Sequence, residues 1–479
     1  MRIVRHNPAG ALLLAACAAA LTLPGCGGGE SGGGSGGAPA PAPEAHVLLV
    51  TADTLRADHL DAYGDTAVDT PNLDALLASS VVYRNSWTVV PITTPSLGSL
   101  LTSRMPRNHG ALNNGYDLSS PDPTIPMALK ESGWRTAAFL PTFLADKTSF
   151  RRGFDIYEHP GVGEPYLSGE ELVRRATAFM DQVEADGESW FVWVHLLEPH
   201  SPYAPGAELE AKYLPEGAVV EERMRDETYG ESMQREEDEV EIVRGLYRGD
   251  VELTDRYLGP LFDRTARSDG KVVTVFTADH GEMLYEHVNY IGHACWLHEP
   301  ILRVPLAIHV SDGSLPAGTR DDPVSQLDVA PTLLALLGGS FESRDGGLNL
   351  LAGSAPDDRL IVHETFAPEA FRYKMAVRSG DWKLQRASRA MVRGSTATDY
   401  RLIIDLAADP TESSVADPAA AGAKFAELLT AFDAWAATQT DPMSHRSQNL
   451  DAETRKALEA LGYAQGAIRP DDAKMLNPR

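Results

Sequence analysis

Three cysteines in 479 residues, at positions 17, 26 and 295, exclude a disulfide framework as the source of this chain's stability. Basic residues are also scarce: 42 Lys and Arg stand against 68 Asp and Glu, a formal charge of −26. A surface of that sign repels phosphate backbones and excludes nonspecific binding to nucleic acid. The apolar run from Ala9 to Leu23 is shorter than the ~18 residues needed to cross a bilayer as a helix. There is no internal repeat of the length that marks solenoids or propellers. What is present is a hydrophobic content of 43%. It suffices for a large buried core, arranged as one big domain with an appendage or as two to three domains.

The chain opens with Met1-Arg-Ile-Val-Arg-His-Asn-Pro, continues through that apolar run, and reaches Leu23-Pro-Gly-Cys26. A basic head, a short apolar centre and small residues before a cysteine form an export signal. The pattern resembles a bacterial lipoprotein signal over residues 1–25, with Cys26 as the lipidated first residue of the mature chain. Leu14-Ala-Ala-Cys17 fits the same pattern with a shorter apolar centre, and an ordinary cleaved signal without lipid is the plainer reading. Residues 26–45 are Gly, Ser, Ala and Pro with few acids, a flexible tether. The protein is therefore expected in the bacterial cell envelope, held to the membrane through a lipid anchor. Cys26→Ser is expected to release it from the membrane fraction. Retention in that variant together with release by Cys17→Ser would move the lipid to Cys17.

From His46 onward, apolar runs ending in polar residues alternate with helical stretches. The clearest runs are 46–53, 135–141, 190–195, 271–279 and 304–310, and the helices fall at 71–80, 168–184, 240–266 and 328–337. Runs apolar on both faces and interleaved with helices predict an α/β fold, a mostly parallel sheet sandwiched by helices. Ligands of such sheets bind beyond the carboxyl ends of the strands. The segment 205–241 is acidic and aperiodic and reads as a solvated insertion. After the main domain, 46–340, short alternating segments at 373–378, 381–385 and 400–405 and a helix near 420–437 predict a small C-terminal α+β subdomain with an antiparallel sheet, 341–440. Residues 441–479 form a peripheral tail.

Chemistry-bearing residues gather at three places. In Pro91-Ile-Thr-Thr-Pro-Ser-Leu-Gly-Ser-Leu-Leu-Thr-Ser-Arg104 the hydroxyls of Thr93 and Thr94 fall at a helix start. There they either cap it or face free N–H groups that favour an alkoxide and the oxygens of a bound ester. Asp53 closes the first strand, either capping the next helix or ionised against a cation. Asp279-His280-Gly281 closes a later strand, with oxygen and nitrogen donors suited to a divalent ion and a glycine that permits close approach.

The segment Thr93-Thr-Pro-Ser-Leu-Gly-Ser-Leu-Leu-Thr-Ser-Arg104 resembles the signature of the sulfatases, members of the alkaline-phosphatase superfamily, and the resemblance runs in motif order from about residue 46 to 440. Two departures matter. Thr93 stands where relatives convert Cys or Ser to formylglycine, and Leu97 stands where they carry Arg. The resemblance implies an alkaline-phosphatase-like fold and one divalent ion (Ca, Mg, Mn or Zn) held by Asp53, Thr93, Asp279 and His280. Thr93 would be an unmodified hydroxyl nucleophile. Thr54 takes the place of a second Asp, which brings the chain nearer the phosphonate monoester hydrolases. His195-Leu-Leu-Glu-Pro-His200-Ser-Pro-Tyr203 and the segment around His293 match stretches that touch the anion or the leaving group, so His200 and His293 join Thr93 as catalytic candidates. Asn114 and Thr54 are expected to face substrate, and His298, in place of a common Tyr, has no assigned role. A Lys and a His that many relatives carry after Gly133-Trp-Arg-Thr136 are absent. The expected activity is hydrolysis of anionic sulfate, phosphate or phosphonate esters. A transferase of the same superfamily and a binding protein that kept the fold without turnover are the alternatives.

Overall fold

The computed structural model describes residues 45–440 except 65–66, 144–148, 226–235, 288–289, 367–372, 389–399, 415 and 417, and beyond 440 only residues 452, 454 and 456. The signal, Cys26, nearly all of the tether and most of the tail lie outside the described residues. Among the described residues no helix is long and apolar enough to cross a membrane.

An eight-stranded sheet organises the main domain. Its order is Gly318–Arg320, Val81–Tyr83, Leu306–Val310, Lys271–Ala278, Ala45–Ala52, Trp190–Leu196, Arg135–Phe139 and Ile156–Glu158. The five strands from Lys271–Ala278 to Ile156–Glu158 run parallel, and Leu306–Val310 pairs antiparallel with the first of them. Side chains alternate between two buried layers. Leu48, Val50, Val192 and Val194 join one core with Leu172, Leu246 and Leu258 of the helices Gly169–Ala185 and Glu237–Thr265. Val47, Leu49, Phe191 and Val273 join the other with Leu97, Leu129 and Leu333 of the helices Thr93–Thr102, Ile125–Glu131 and Val329–Leu336. Burial on both faces is what turns the strand sequences into near-continuous apolar runs.

In the described part of the acidic segment 205–241 most residues are exposed or half-buried, and a few anchor it to the domain. Ala207–Tyr213 forms a helix whose Leu209 is buried, and Asp250 of the long helix accepts a hydrogen bond from the Ala204 N–H at 2.9 Å. The C-terminal subdomain is a four-stranded antiparallel sheet, Ile361–Thr365, Tyr373–Ser379, Trp382–Ser388 and Tyr400–Asp405, covered by the helix Pro418–Ala437. Its core includes Val377, Ile403 and Phe432 and continues into Val89, Val90 and Ile92. The subdomain thereby braces the segment that leads into the helix Thr93–Thr102.

Candidate active site

Three central strands deliver their next residues to one place. Ala52 is in register with both Leu196 and Ala278, so the chain leaves all three strands at the same level. The Asp53 N–H donates to the Leu196 carbonyl at 2.9 Å, and both Asp53 and Asp279 are buried. Asp279 Oδ1 accepts from the N–H of His280 at 2.7 Å and of Thr54 at 3.2 Å, while Oδ2 has no hydrogen-bond partner among the described residues. His280 Nδ1 lies 3.0 Å from the Gly281 carbonyl, which can only accept, so that nitrogen carries the proton. Nε2 keeps its lone pair, 3.7 Å from Asp53 Oδ1 and 3.5 Å from Asp279 Oδ2. Gly281 is required by packing: a Cβ there would lie 2.1 Å from the Pro300 carbonyl oxygen.

The helix Thr93–Thr102 points its first turn at this carboxylate pair. Its N-cap is Ile92, whose side chain caps nothing, and Thr93 is the first helical residue. The Thr93 hydroxyl is thus not a cap; it sits 3.5 Å from His280 Nε2. Ser96 fixes the helix by donating from Oγ to the Asp279 carbonyl at 2.6 Å, within a buried network that includes Thr88 and Gln326. Leu97 packs in the apolar core, so no guanidinium supports the first turn from that position. Asn114 Oδ1 accepts from the Thr94 N–H at 2.8 Å, and its buried Nδ2 has no hydrogen-bond partner among the described residues. The Thr54 hydroxyl is likewise buried and unpartnered. Orphaned donors of this kind carry a cost of about 1–3 kcal/mol each, which a bound anion would remove.

His280, His293 and His200 form a run of rings, with centroids 4.4 Å apart for the first pair and 5.2 Å for the second. His293 Nδ1 is 3.2 Å from Glu282 Oε1, and the Tyr203 hydroxyl donates to Glu282 Oε2 at 3.2 Å. A buried carboxylate therefore orients His293 as the aspartate of a hydrolytic triad orients its histidine. His200 Nδ1 is 2.5 Å from the Ser201 carbonyl, which again assigns the proton to Nδ1. His298 lies apart from this group, stacked on His287 with centroids 4.1 Å apart and 3.2 Å from Glu412. His287, His298 and Glu412 are spaced like metal ligands. However, the Lys383 ammonium, 2.8 Å from Glu412 Oε1, already supplies a cation there, and the cluster reads as a junction between the two domains.

Two residues of the site were not among the sequence candidates. Glu282 follows the Asp-His-Gly turn and gains its role only through His293, eleven residues on. His195, next to last in the strand Trp190–Leu196, places Nε2 3.8 Å from Asp53 Oδ2, and Asp53, His195 and Asp279 offer donor atoms within 4.8 Å of one another. A histidine inside the apolar run Trp-Phe-Val-Trp-Val-His-Leu was the available signal.

The donor set fits a divalent cation. Burial pushes the Asp279 carboxyl above its ordinary value, opposed by the His280 and Thr54 N–H groups that bond it. Burial lowers the His195 imidazole to about 4, which keeps it neutral and able to donate a lone pair. Two buried carboxylates, two lone-pair nitrogens and an unpartnered Asp279 oxygen meet the chemistry of such an ion.

The sulfatase family model matches residues 45–340. Choline-sulfatase of Rhizobium meliloti is 25% identical over 90% of this chain and 94% of its own length. Among solved structures, one of a protein in complex with its substrate D-glucosamine-2-N,6-O-disulfate superposes with a TM-score of 0.69 at 17% identity, covering 84% of this chain and 99% of the other. The phosphonate monoester hydrolase of Agrobacterium radiobacter superposes with a TM-score of 0.59 at 21% identity, covering 85% and 96%. These superpositions establish a shared fold.

Proposed function

Because the chain belongs to the sulfatase family, whose model spans residues 45–340, we propose that Thr93 is the unmodified nucleophile of its ester hydrolysis and that the reaction depends on one divalent ion. Membership in the family makes the chain a sulfuric ester hydrolase, and the Thr93 chemistry extends the reading to phosphorus esters. The observation that carries the proposal is the Thr93 hydroxyl, uncommitted to capping and 3.5 Å from His280 Nε2 beside the Asp53 and Asp279 carboxylates.

Asp53, Asp279, His280 and Thr93 would hold the ion, and the group supplies there the positive charge that lowers the hydroxyl's pKa and neutralises an ester oxygen. Thr93 Oγ forms the new bond to sulfur or phosphorus and gives its proton to solvent; the bond to the leaving oxygen breaks, and that oxygen takes a proton from an imidazolium, which solvent then reprotonates. His293, backed by Glu282, and His200 are the imidazoles placed to donate it. Asn114 Nδ2 and Thr54 Oγ1 bind the non-bridging oxygens. Water then attacks the Thr93 ester at sulfur or phosphorus, releasing the inorganic acid and restoring the hydroxyl. A formylglycine hydrate can expel sulfate by elimination, whereas a threonine ester can be cleared only by this second displacement. That difference favours phosphorus esters.

The test is a panel of aryl sulfate, phosphate and phosphonate esters run with Ca2+, Mg2+, Mn2+ and Zn2+. Phosphate or phosphonate esters are expected to turn over at least as fast as sulfates, and chelation to abolish turnover. Exclusive turnover of sulfates would overturn the preference; full activity after exhaustive chelation would overturn the ion. We further propose, from the signal and tether sequences, that the enzyme works at the envelope surface on a lipid anchor at Cys26.

A further inference from the structure

We infer that His195 is a ligand of the same ion, which makes the site one of two carboxylates, two imidazoles and the Thr93 hydroxyl and selects a first-row transition ion such as Mn2+ or Zn2+ over Ca2+ and Mg2+. This rests on the metal reading above and extends it to a residue outside the proposed set. Strand register places His195. It pairs with Thr51, and Thr51 pairs with Thr277 on the other side. Side chains recur on one face every second residue, so Asp53, two beyond Thr51, and Asp279, two beyond Thr277, emerge on the face that carries His195.

The distances suit coordination better than hydrogen bonding. His195 Nε2 is 3.8 Å from Asp53 Oδ2, too far for a hydrogen bond. Donor atoms each about 2.1 Å from one ion lie roughly 3 to 4.2 Å apart. His280 Nε2 approaches the other oxygen of the same carboxylate, Asp53 Oδ1, at 3.7 Å. The two imidazoles thus address opposite oxygens of Asp53.

The far side of the ring offers a partner to the tautomer that leaves Nε2 free. His195 Nδ1 is 2.9 Å from Thr51 Oγ1, which also accepts from the Trp193 indole N–H at 2.9 Å. One lone pair of that hydroxyl takes the indole proton; the second can take a proton from Nδ1, or the hydroxyl's own proton can go to Nδ1, and an ion at Nε2 selects the first arrangement. In the opposite tautomer an Nε2 proton would face Asp53 across 3.8 Å without forming a bond. The arrangement with Nδ1 protonated therefore leaves a lone pair on Nε2, directed to the carboxylates, as histidine ligands held by an outer partner commonly are. Only one carboxylate leaves the first strand, since Thr54 follows Asp53, and His195 adds a nitrogen to the set. Two imidazoles suit Mn, Fe, Co and Zn; Ca2+ and Mg2+ prefer oxygen throughout.

The test uses the full chain, stripped with chelator and reloaded with Mn2+ to one ion per chain, with pulsed EPR counting coordinated imidazole nitrogens and mass spectrometry measuring bound metal. Two imidazoles are expected in the wild type and one in His195→Ala, whose Mn2+ affinity should fall roughly 10- to 100-fold. Equal Ca2+ should fail to displace Mn2+. A single imidazole in the wild type, lost in His280→Ala, would overturn the role of His195 while leaving the metal reading intact. A wild type that binds no divalent ion overturns both. The wild-type spectrum decides the matter even if His195→Ala fails to fold, and His195→Gln provides a second variant for the affinity.

Discussion

Thr93→Ala is expected to lose on the order of a thousandfold or more in kcat on every ester the wild type accepts, because deleting a covalent nucleophile usually costs that much. The local structure makes this a clean measurement. Thr93 is the first residue of its helix and Ile92 is the N-cap, so no capping hydrogen bond is lost with the hydroxyl. The helix is held instead by Ser96 on the Asp279 carbonyl and by Asn114 on the Thr94 N–H, both untouched by the substitution. Thermal stability should therefore stay near wild type while turnover collapses. Thr93→Ser keeps the hydroxyl and should retain most of the rate. Intact-mass and peptide spectra should show Thr93 unmodified, since threonine is not a substrate for conversion to formylglycine. Activity near wild type in Thr93→Ala would remove the nucleophile from the mechanism and return Thr93 to a packing role.

How much of this was legible in the sequence varies with how local the cause is. The central strands and long helices were readable because burial on both faces leaves apolar runs that need no partner to recognise. The strand Ile361–Thr365 was not, because Ile-Val-His-Glu-Thr carries three polar residues whose partners come from elsewhere in the fold. The His363 imidazole is 2.8 Å from the Thr88 carbonyl, and Glu364 holds the Arg107 guanidinium at 2.6 Å. Strands as short as Val81–Tyr83 and the edge strand Gly318–Arg320 exist only through pairing with each other and, for the first, with Leu306–Val310. The site divides in the same way. Asp53, Asp279 and His280 stand where strands end, a place that sequence can mark. The link from His195 through Thr51 to Asp53 depends on register between separate strands, and that of Glu282 to His293 on a loop returning to its own start.

Asp279→Asn is expected to move stability in opposite directions with and without metal. Asp279 is fully buried, and without an ion burial outweighs the two N–H donors, raising its carboxyl pKa. A carboxyl whose folded pKa lies above its unfolded value binds more protons when folded. Its ionisation therefore subtracts from stability as pH rises through the unfolded pKa, and the penalty is fully present once pH exceeds the folded pKa. Asparagine keeps Oδ1 as acceptor for the His280 and Thr54 N–H groups and removes the buried charge, so the metal-free variant should melt above metal-free wild type near neutral pH. The ion reverses the order. Metal at a hundredfold excess over its Kd stabilises the wild type by about 2.7 kcal/mol, several degrees in Tm, and the variant should lose nearly all of that gain because an amide oxygen cannot replace the carboxylate charge. Turnover should fall with it, by roughly the thousandfold expected of Thr93→Ala. Paired thermal scans with chelator and with Mn2+ measure both effects. A variant that still gains the wild-type shift on adding metal would remove Asp279 from the ion's ligands, and a metal-free variant melting below wild type would show that the Asp279 charge is compensated within the fold.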